Sequence, residues 1–436
     1  MSASAIGIIM FLIMVGLILV GVPIFVSMLS CSIVGFYLCG GAKMVFVQLT
    51  QAPFTLGASY SYAVLPLFML VGTLAGVTGI AEGAFNALHK WLGRVRGGLL
   101  FTVVGANAAF GACSGISVAG NVVFGKIAMP ELQRHGYDRK LSLGTITGAG
   151  CLSSLIPPSV PIIMWCLVTD VSIGTALMYG LSLGILMIIL LCIAIKIVIT
   201  IRPDKAPPTK DMPKVSVKEK IASLRHLIPI VLVFVLIIGG TMSGWFSSTV
   251  AGAVAAVALL IYALIKRVPL KEIWHCVWDG AVMNAGMFPI IVAGSIFSRF
   301  VTLTHLADTV ANAIVSTHLP AFAIFCLVVL FYIFCGCVMD IPSTIIITVP
   351  IVFPLLTSLG YNPYVITVLL VMMCDVAGMT PPIGMNVFAV SNALRIKPME
   401  IFSGCIPFFC VDVVAVLIMG AFPQIVELIP HLMGLP

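Results

Sequence analysis

Gly111-Ala112-Cys113-Ser114-Gly115-Ile116-Ser117 opens, and Gly150-Cys151-Leu152-Ser153-Ser154-Leu155-Ile156-Pro157-Pro158-Ser159 closes, a stretch that is polar and helix-breaking at both ends yet set in strongly apolar sequence. In a bilayer, irregular backbone is tolerated only where it is buried in protein or lines a cavity. Small residues let backbones approach, and Ser hydroxyls with freed carbonyls are oxygen ligands suited to a hard cation. Taken alone, the stretch reads equally well as half of a site for a solute and a cation or as two kinked, tightly packed helices.

Its recurrence decides between these readings. Moved down the chain by 224 residues, Cys113 falls on Cys337, Pro130 on Pro354, Gly136-Tyr137 on Gly360-Tyr361, Pro157-Pro158 on Pro381-Pro382 and Gly180 on Gly404. Further upstream the register slips slightly, so that Pro66 meets Pro289 and Gly72-Thr73 meets Gly294-Ser295. Chance matching of apolar sequence does not place Pro and Gly-Tyr in one register. A repeat whose period is half the chain points to a two-fold solute carrier rather than a solenoid.

Outside this pair, composition sets the class. Of 436 residues, 61% are hydrophobic and 8% charged, against about 25% charged in soluble domains. The chain reads as a polytopic membrane protein in the lipid bilayer, with roughly ten to twelve crossings at about 20 residues each. The net charge of +7 does not imply nucleic acid, because the basic residues are not interleaved with exposed aromatics. Arg202, Lys205, Lys210, Lys214, Lys218, Lys220 and Arg225 share one loop, the pattern of a cytoplasmic segment. The 13 cysteines are scattered through apolar runs without a CxxC pair, so they read as packing residues. Met1 to Ile6 lacks the basic start of a cleaved signal, and a first span from about Ile6 to Val20 is expected to remain.

The expected organisation is 1–61 as N-terminal scaffold helices, 62–201 as the first repeat, 202–225 as a cytoplasmic linker, 226–283 as further scaffold, 284–421 as the second repeat and 422–436 as a tail. Gly79 to Arg96 has helical apolar spacing and reads as an amphipathic arm in the interface; its partner is His305 to His318, with Leu306, Val310, Ile314 and Val315 on one side. Ser117 to Met129 is too short to span twice and suits a re-entrant hairpin. Pro130 to Lys140 is basic, whereas Pro354 to Tyr364 carries no charge and no Lys or Arg occurs between Arg299 and Arg395. By the positive-inside rule the first hairpin opens inward and the second outward, which makes the repeat inverted. The fold class is thus an all-α polytopic membrane protein, an inverted repeat with two re-entrant hairpins and two helices broken at Pro-Pro.

Several chemistries are excluded. Gly120 to Ile127 mimics a nucleotide loop, but Ile127 replaces the Ser or Thr that holds Mg²⁺ and no strand precedes it. Asp340 and Asp375 lack the Gly-x-Gly-Asp of a membrane aspartyl protease, and no His-Glu-x-x-His is present; the chain is not expected to be an enzyme. Asp340 is instead an intramembrane carboxylate of functional type, also suited to capping a helix that begins at Pro342. Asp375 is either a functional carboxylate or a structural partner of nearby backbone. Each double Pro frees carbonyls upstream for a cation and starts a half-helix whose amides face an anion.

These residues carry a family resemblance. Gly111 to Gly115, Met129-Pro130-Glu131 with Gly136-Tyr137-Asp138, Leu155 to Ser159, and Thr380-Pro381-Pro382-Ile383-Gly384-Met385-Asn386 resemble the DctM-like large membrane subunit of tripartite ATP-independent periplasmic (TRAP) transporters. Gly79-Ile80-Ala81 and Arg96-Gly97-Gly98-Leu99 around the arm extend the resemblance over almost the whole chain. It implies an elevator motion against a scaffold, sodium (Na⁺) coupling, a small membrane subunit and a periplasmic binding protein in the bacterial inner membrane. The substrates it implies are C4-dicarboxylates, sialic acids and related organic acids. The chain lacks the extra N-terminal spans of fused versions, so the small subunit is expected as a separate polypeptide. Ile116 and Asn121 depart from a hairpin often richer in Ser and Ala.

The expected substrate contacts are Ser114, Ser117, Asn121, Ser159 and Asn386, with Arg299 the cationic partner that a dicarboxylate would need. Two cation sites are expected, one from Ser114, Ser117, Gly150 and Ser153 and one from Gly336, Asp340, Gly378 and Thr380. The competing reading is an ion channel or passive pore, which would not give saturable, sodium-dependent uptake.

Overall fold

The computed structural model describes residues 2–207 and 215–435, the side chain of Val315 excepted. Pro208, Lys210, Pro213 and Lys214 of the expected linker lie outside the described residues. The fold is all-helical: α1 (Ala3–Leu19), α2 (Ile24–Gly57), α3 (Val64–Val77), α4 (Ile80–Leu92), α5 (Gly98–Ser114), α6 (Ser117–Arg134), α7 (Arg139–Gly150), α8 (Val160–Thr169) and α9 (Ile173–Ile201) make the first part. Next come α10 (Val217–Ser223), α11 (Ile228–Phe234), α12 (Gly240–Met242) and α13 (Ser248–Ile265). The second part is α14 (Leu270–Leu303), α15 (Leu306–Val315), α16 (Ala321–Val338), α17 (Ile341–Ser358), α18 (Pro363–Ala377), α19 (Met385–Leu394), α20 (Pro398–Ala421) and α21 (Gln424–Leu432). Among the described residues, nine helical stretches are long and apolar enough to cross a membrane.

Helix ends follow local chemistry. Asp138 caps α7 through the Leu141 amide at 2.9 Å. Ser159 caps α8, ahead of a proline in its first turn, and Ser216 with Glu219 forms a reciprocal capping box on α10. Gly41 takes φ 71° inside α2 and bends it. The two arms, α4 and α15, are short and amphipathic as their spacing predicts. Trp274 and Trp278 sit exposed near the start of α14, which runs unbroken through residues 283 and 284, across the expected boundary between scaffold and second repeat.

The order of elements in α3 to α9 recurs in α14 to α20: a leading helix, an amphipathic arm, a tight helix–turn–helix, a helix interrupted at Pro-Pro, and a long closing helix. The loops at Tyr137 and Tyr361 are at opposite ends of the molecule. Lys205, just past the end of α9, pairs with Asp138 at 3.3 Å. Near the start of α9, Tyr179 takes a hydrogen bond from Asn362 at 3.2 Å and stacks on Tyr364. The 22 helical rises from Tyr179 to Ile201 separate the two loops by about 33 Å. Arg96 bonds Pro203, Trp91 bonds Lys220 and Arg139 pairs with Glu400, all at the basic end.

The two parts interlock through α7 and α20. Gly144 lies against the backbone of Gly404, and Gly404 against that of Lys140, so a side chain at either glycine would strike main chain. Such close approach leaves no room between the helices and fixes α7, which leads into the first break, against the second part.

Candidate functional site

The site is built where helices stop inside the protein. Helix α5 ends at Ser114, and Gly115 turns the chain with φ 62°. A Cβ at Gly115 would strike the carbonyl of Pro158, so this position needs glycine for both its conformation and its neighbour. Across the contact, the Val160 amide donates to the Gly115 carbonyl at 3.2 Å. The tip of the first helix–turn–helix therefore rests on the break at Pro157-Pro158, a cis bond. All residues from Cys151 to Val160 are buried.

The second half repeats the contact. The Ile383 amide, just past the cis bond Pro381-Pro382, donates to the Cys337 carbonyl at 3.2 Å. Cys337 Sγ lies 2.7 Å from Thr380 Oγ1, which also donates to the Ala377 carbonyl at 2.6 Å. Gly336 packs against Cys374 and Ala377, and Gly378 against Asn386. Gly336, Gly378 and Thr380 thus share one neighbourhood. Asp340 stands at the N-cap of α17, as its sequence context predicts, with its carboxyl near Ser343 but no capping hydrogen bond.

Between the breaks lies Asp375, fully buried. Its carboxylate accepts from Ser154 Oγ and from Asn386 Nδ2, the latter at 2.6 Å. Ser117 faces the same carboxylate. Cys151, the repeat counterpart of Asp375 at 224 residues' distance, places Sγ 3.8 Å from the Asp375 carbonyl. The pseudo-two-fold therefore passes beside this pair. Asn121 packs on Gly150, and with its amide nitrogen turned to α7 it donates to Ile146 and Thr147 carbonyls at 3.0 and 3.2 Å.

The sequence profile of the tripartite ATP-independent periplasmic transporter DctM component matches residues 11–425. The chain belongs to this family. It is 28% identical over 378 residues to the C4-dicarboxylate TRAP transporter large permease of Pseudomonas aeruginosa, covering 86% of this chain and 87% of the relative. The ectoine TRAP large permease of Halomonas elongata is 25% identical over 94% of this chain and 96% of its own length. The 2,3-diketo-L-gulonate TRAP large permease of Escherichia coli is 26% identical over 97% of each chain. Among solved structures, the YdaH transporter of Alcanivorax borkumensis shares the fold, with a TM-score of 0.58 at 15% identity over 88% of this chain and 89% of that one. This TRAP large permease is a multi-pass membrane protein of the transporter class, not an enzyme, and its family places it in the bacterial inner membrane.

In the permease, the expected site residues divide into groups. Ser114, Ser117, Asn121, Gly150, Ser153 and Ser159 cluster around the first tip and break. Ser159 is engaged as the α8 cap, accepting from Ile162 at 3.2 Å and donating to the Ser154 carbonyl. Asn386 is held by Asp375. Arg299 stands apart on α14, donating to Gln48 at 3.1 Å and lining a cavity of about 740 Å³ with Tyr62, Asp170 and Ser172. Sequence reasoning missed Asn107 and Asp412, both buried. Ser153 Oγ donates to the Asn107 carbonyl at 3.3 Å. Polar residues inside apolar helices were the signal available for both.

Proposed function

We propose that this permease imports an organic anion by sodium-coupled secondary active transport. The anion is a C4-dicarboxylate, a sialic acid or a related carboxylate. It works with a small TRAP membrane subunit and a periplasmic binding protein that delivers the substrate. The observation that carries this reading is the pair of breaks, each touched by the tip of a helix–turn–helix, with their outer loops at opposite ends of the molecule. Such an arrangement offers carbonyl and hydroxyl oxygens to sodium at the ends of the upstream half-helices. It offers the amides of the downstream half-helices to a carboxylate. The tips act as re-entrant hairpins, and the hairpins with their broken helices slide as an elevator against a scaffold that includes the long helices α2 and α14. The relatives named for C4-dicarboxylate and diketogulonate transport support an acidic substrate.

The test is uptake in proteoliposomes. The expected result is saturable uptake that needs an inward sodium gradient, the small subunit and the loaded binding protein together. Non-saturable flux through this chain alone, indifferent to sodium, would establish the pore reading instead.

A further inference from the structure

We infer that the Asp375 carboxylate, reaching from the second half into the first, is the anionic ligand of the cation site at Ser114, Ser117 and Ser153, with sodium as its counter-charge. This rests on the sodium coupling proposed above and adds a ligand from the other half of the chain.

A carboxylate taken out of water costs several kcal/mol, and buried charges in proteins are paired or coordinate metals. Asp375 is 0% exposed and Asp412, which lies close enough to feel its charge, is 2% exposed. Among the described residues, no Lys, Arg or His forms an ion pair with either. The donors around Asp375 are neutral: Ser154, Asn386 and Ser117. They orient the carboxylate without balancing it.

Hydrogen-bond accounting points to the same place. Ser114 Oγ is fully buried and makes no hydrogen bond, and neither do the two side-chain amide atoms of Asn107. Buried polar atoms nearly always have partners, and exceptions mark waters or ions. Asn107 Oδ1 and Ser153 Oγ both face the small space over Gly120, 2.7 and 2.9 Å from where a Cβ would stand. Ser114 is three residues from Ser117 at the same tip, and Ser153 is next to Ser154. The unpartnered oxygens and the unbalanced carboxylate thus bracket one region, where oxygen ligands and one negative charge suit a hard monovalent cation. The second site has no such charge directly at Thr380, where the thiol of Cys337 is the neighbour. The two cation sites of the repeat are therefore unlike: the first draws its carboxylate from the other half of the chain, whereas the second has Asp340 of its own half, at the N-cap of α17.

The test is sodium titration of the purified permease, read as thermal stabilisation by NaCl against KCl, together with sodium titration of uptake with the partner proteins supplied. For Asp375→Asn the half-saturating sodium concentration rises at least about tenfold in both measurements, because ligand charge sets affinity in such sites. Asp375→Glu restores it to within about threefold. Unchanged half-saturation in a folded Asp375→Asn protein, with a sodium-responsive parent, overturns the inference alone. A parent that responds to neither sodium measurement overturns the sodium coupling itself. Where Asp375→Asn fails to accumulate, Asp375→Glu decides. It keeps the charge and moves it by one methylene, so the lithium-to-sodium preference shifts by about threefold or more, and an unshifted preference overturns the assignment.

Discussion

At Pro157-Pro158 every residue from Cys151 to Val160 is buried, whereas at Pro381-Pro382 the run from Pro381 to Ile383 is exposed, Ile383 to 43%. Both breaks share a cis Pro-Pro bond and a hydrogen bond to a hairpin tip. Their surroundings differ. The first is closed by serines: Ser153 bonds Asn107, Ser154 bonds Asp375 and Ser159 bonds Ser154. The second has Gly378 where the first has Ser154, and Asn386 closes over it from α19. A repeated backbone therefore supplies two sites of the same outline and unlike chemistry. One is sealed and reaches a carboxylate; the other is open on one side in this conformation.

The sharpest way to break the comparison is at the two tips. Gly115 and its counterpart Met339 occupy the same place in the repeat, but Gly115 has φ 62° and Met339 is extended at φ −118°. Gly115→Ala costs about 1–2 kcal/mol for the left-handed backbone, with the clash on Pro158 added, so uptake falls to background. Met339→Ala changes stability far less, by about 1 kcal/mol or under. Melting temperature and uptake of the two variants check this; equal tolerance would contradict the difference drawn between the tips.

A smaller effect sharpens the second site. Thr380→Val removes an oxygen that bonds Ala377 and Cys337, and Asp340→Asn removes a charge at the hairpin start. Both raise the half-saturating sodium concentration of uptake, by about threefold to tenfold, less than the change expected at Asp375. Parental sodium dependence in both variants would leave Asp340 as a helix cap and move the second cation site elsewhere.

The smallest effect concerns the arm of the first half. His89 on α4 stacks on Phe85 and lies 6.4 Å from His135. Burial, and then His135, hold His89 below the usual imidazole range, with Glu131 opposing. The fold therefore favours neutral His89, and the unfolded chain takes up the proton first, near pH ~6.5. Stability contributed by this group is present above that pH and is lost as pH falls below it. The melting temperature drops on acidification from about pH 7 to about pH 5.5, and the drop is smaller in His89→Gln. The arm of the second half instead places His305 beside Asp308 at its exposed start.

Much of this architecture was legible because the repeat is marked by rare residues. Pro and Gly-Tyr in one register fixed the equivalence of the halves, and the amphipathic spacing of α4 and α15 gave the arms. The double prolines gave the breaks. What local pattern does not carry is which side chains meet across the pseudo-two-fold. Asp375 stands within an apolar helix, and its partner Ser154 is 221 residues away; only packing of α18 against the first break joins them. Asn121 and Asn386 read as substrate contacts by residue type, yet both are turned onto α7 carbonyls or Asp375. Arg299 reads as a partner for a carboxylate, but it sits on α14 bonded to Gln48, away from the two tips. Gly120 to Ile127, which mimics a phosphate loop in sequence, is helix within α6.

The central claim is that one design is used twice in opposite orientations across the membrane. Single cysteines placed at Tyr137 and at Tyr361, in a cysteine-free background, test it with a membrane-impermeant thiol reagent on whole cells and on permeabilised ones. The account predicts that Tyr361→Cys is labelled from outside and Tyr137→Cys only after permeabilisation. Labelling of both from the same side would contradict it.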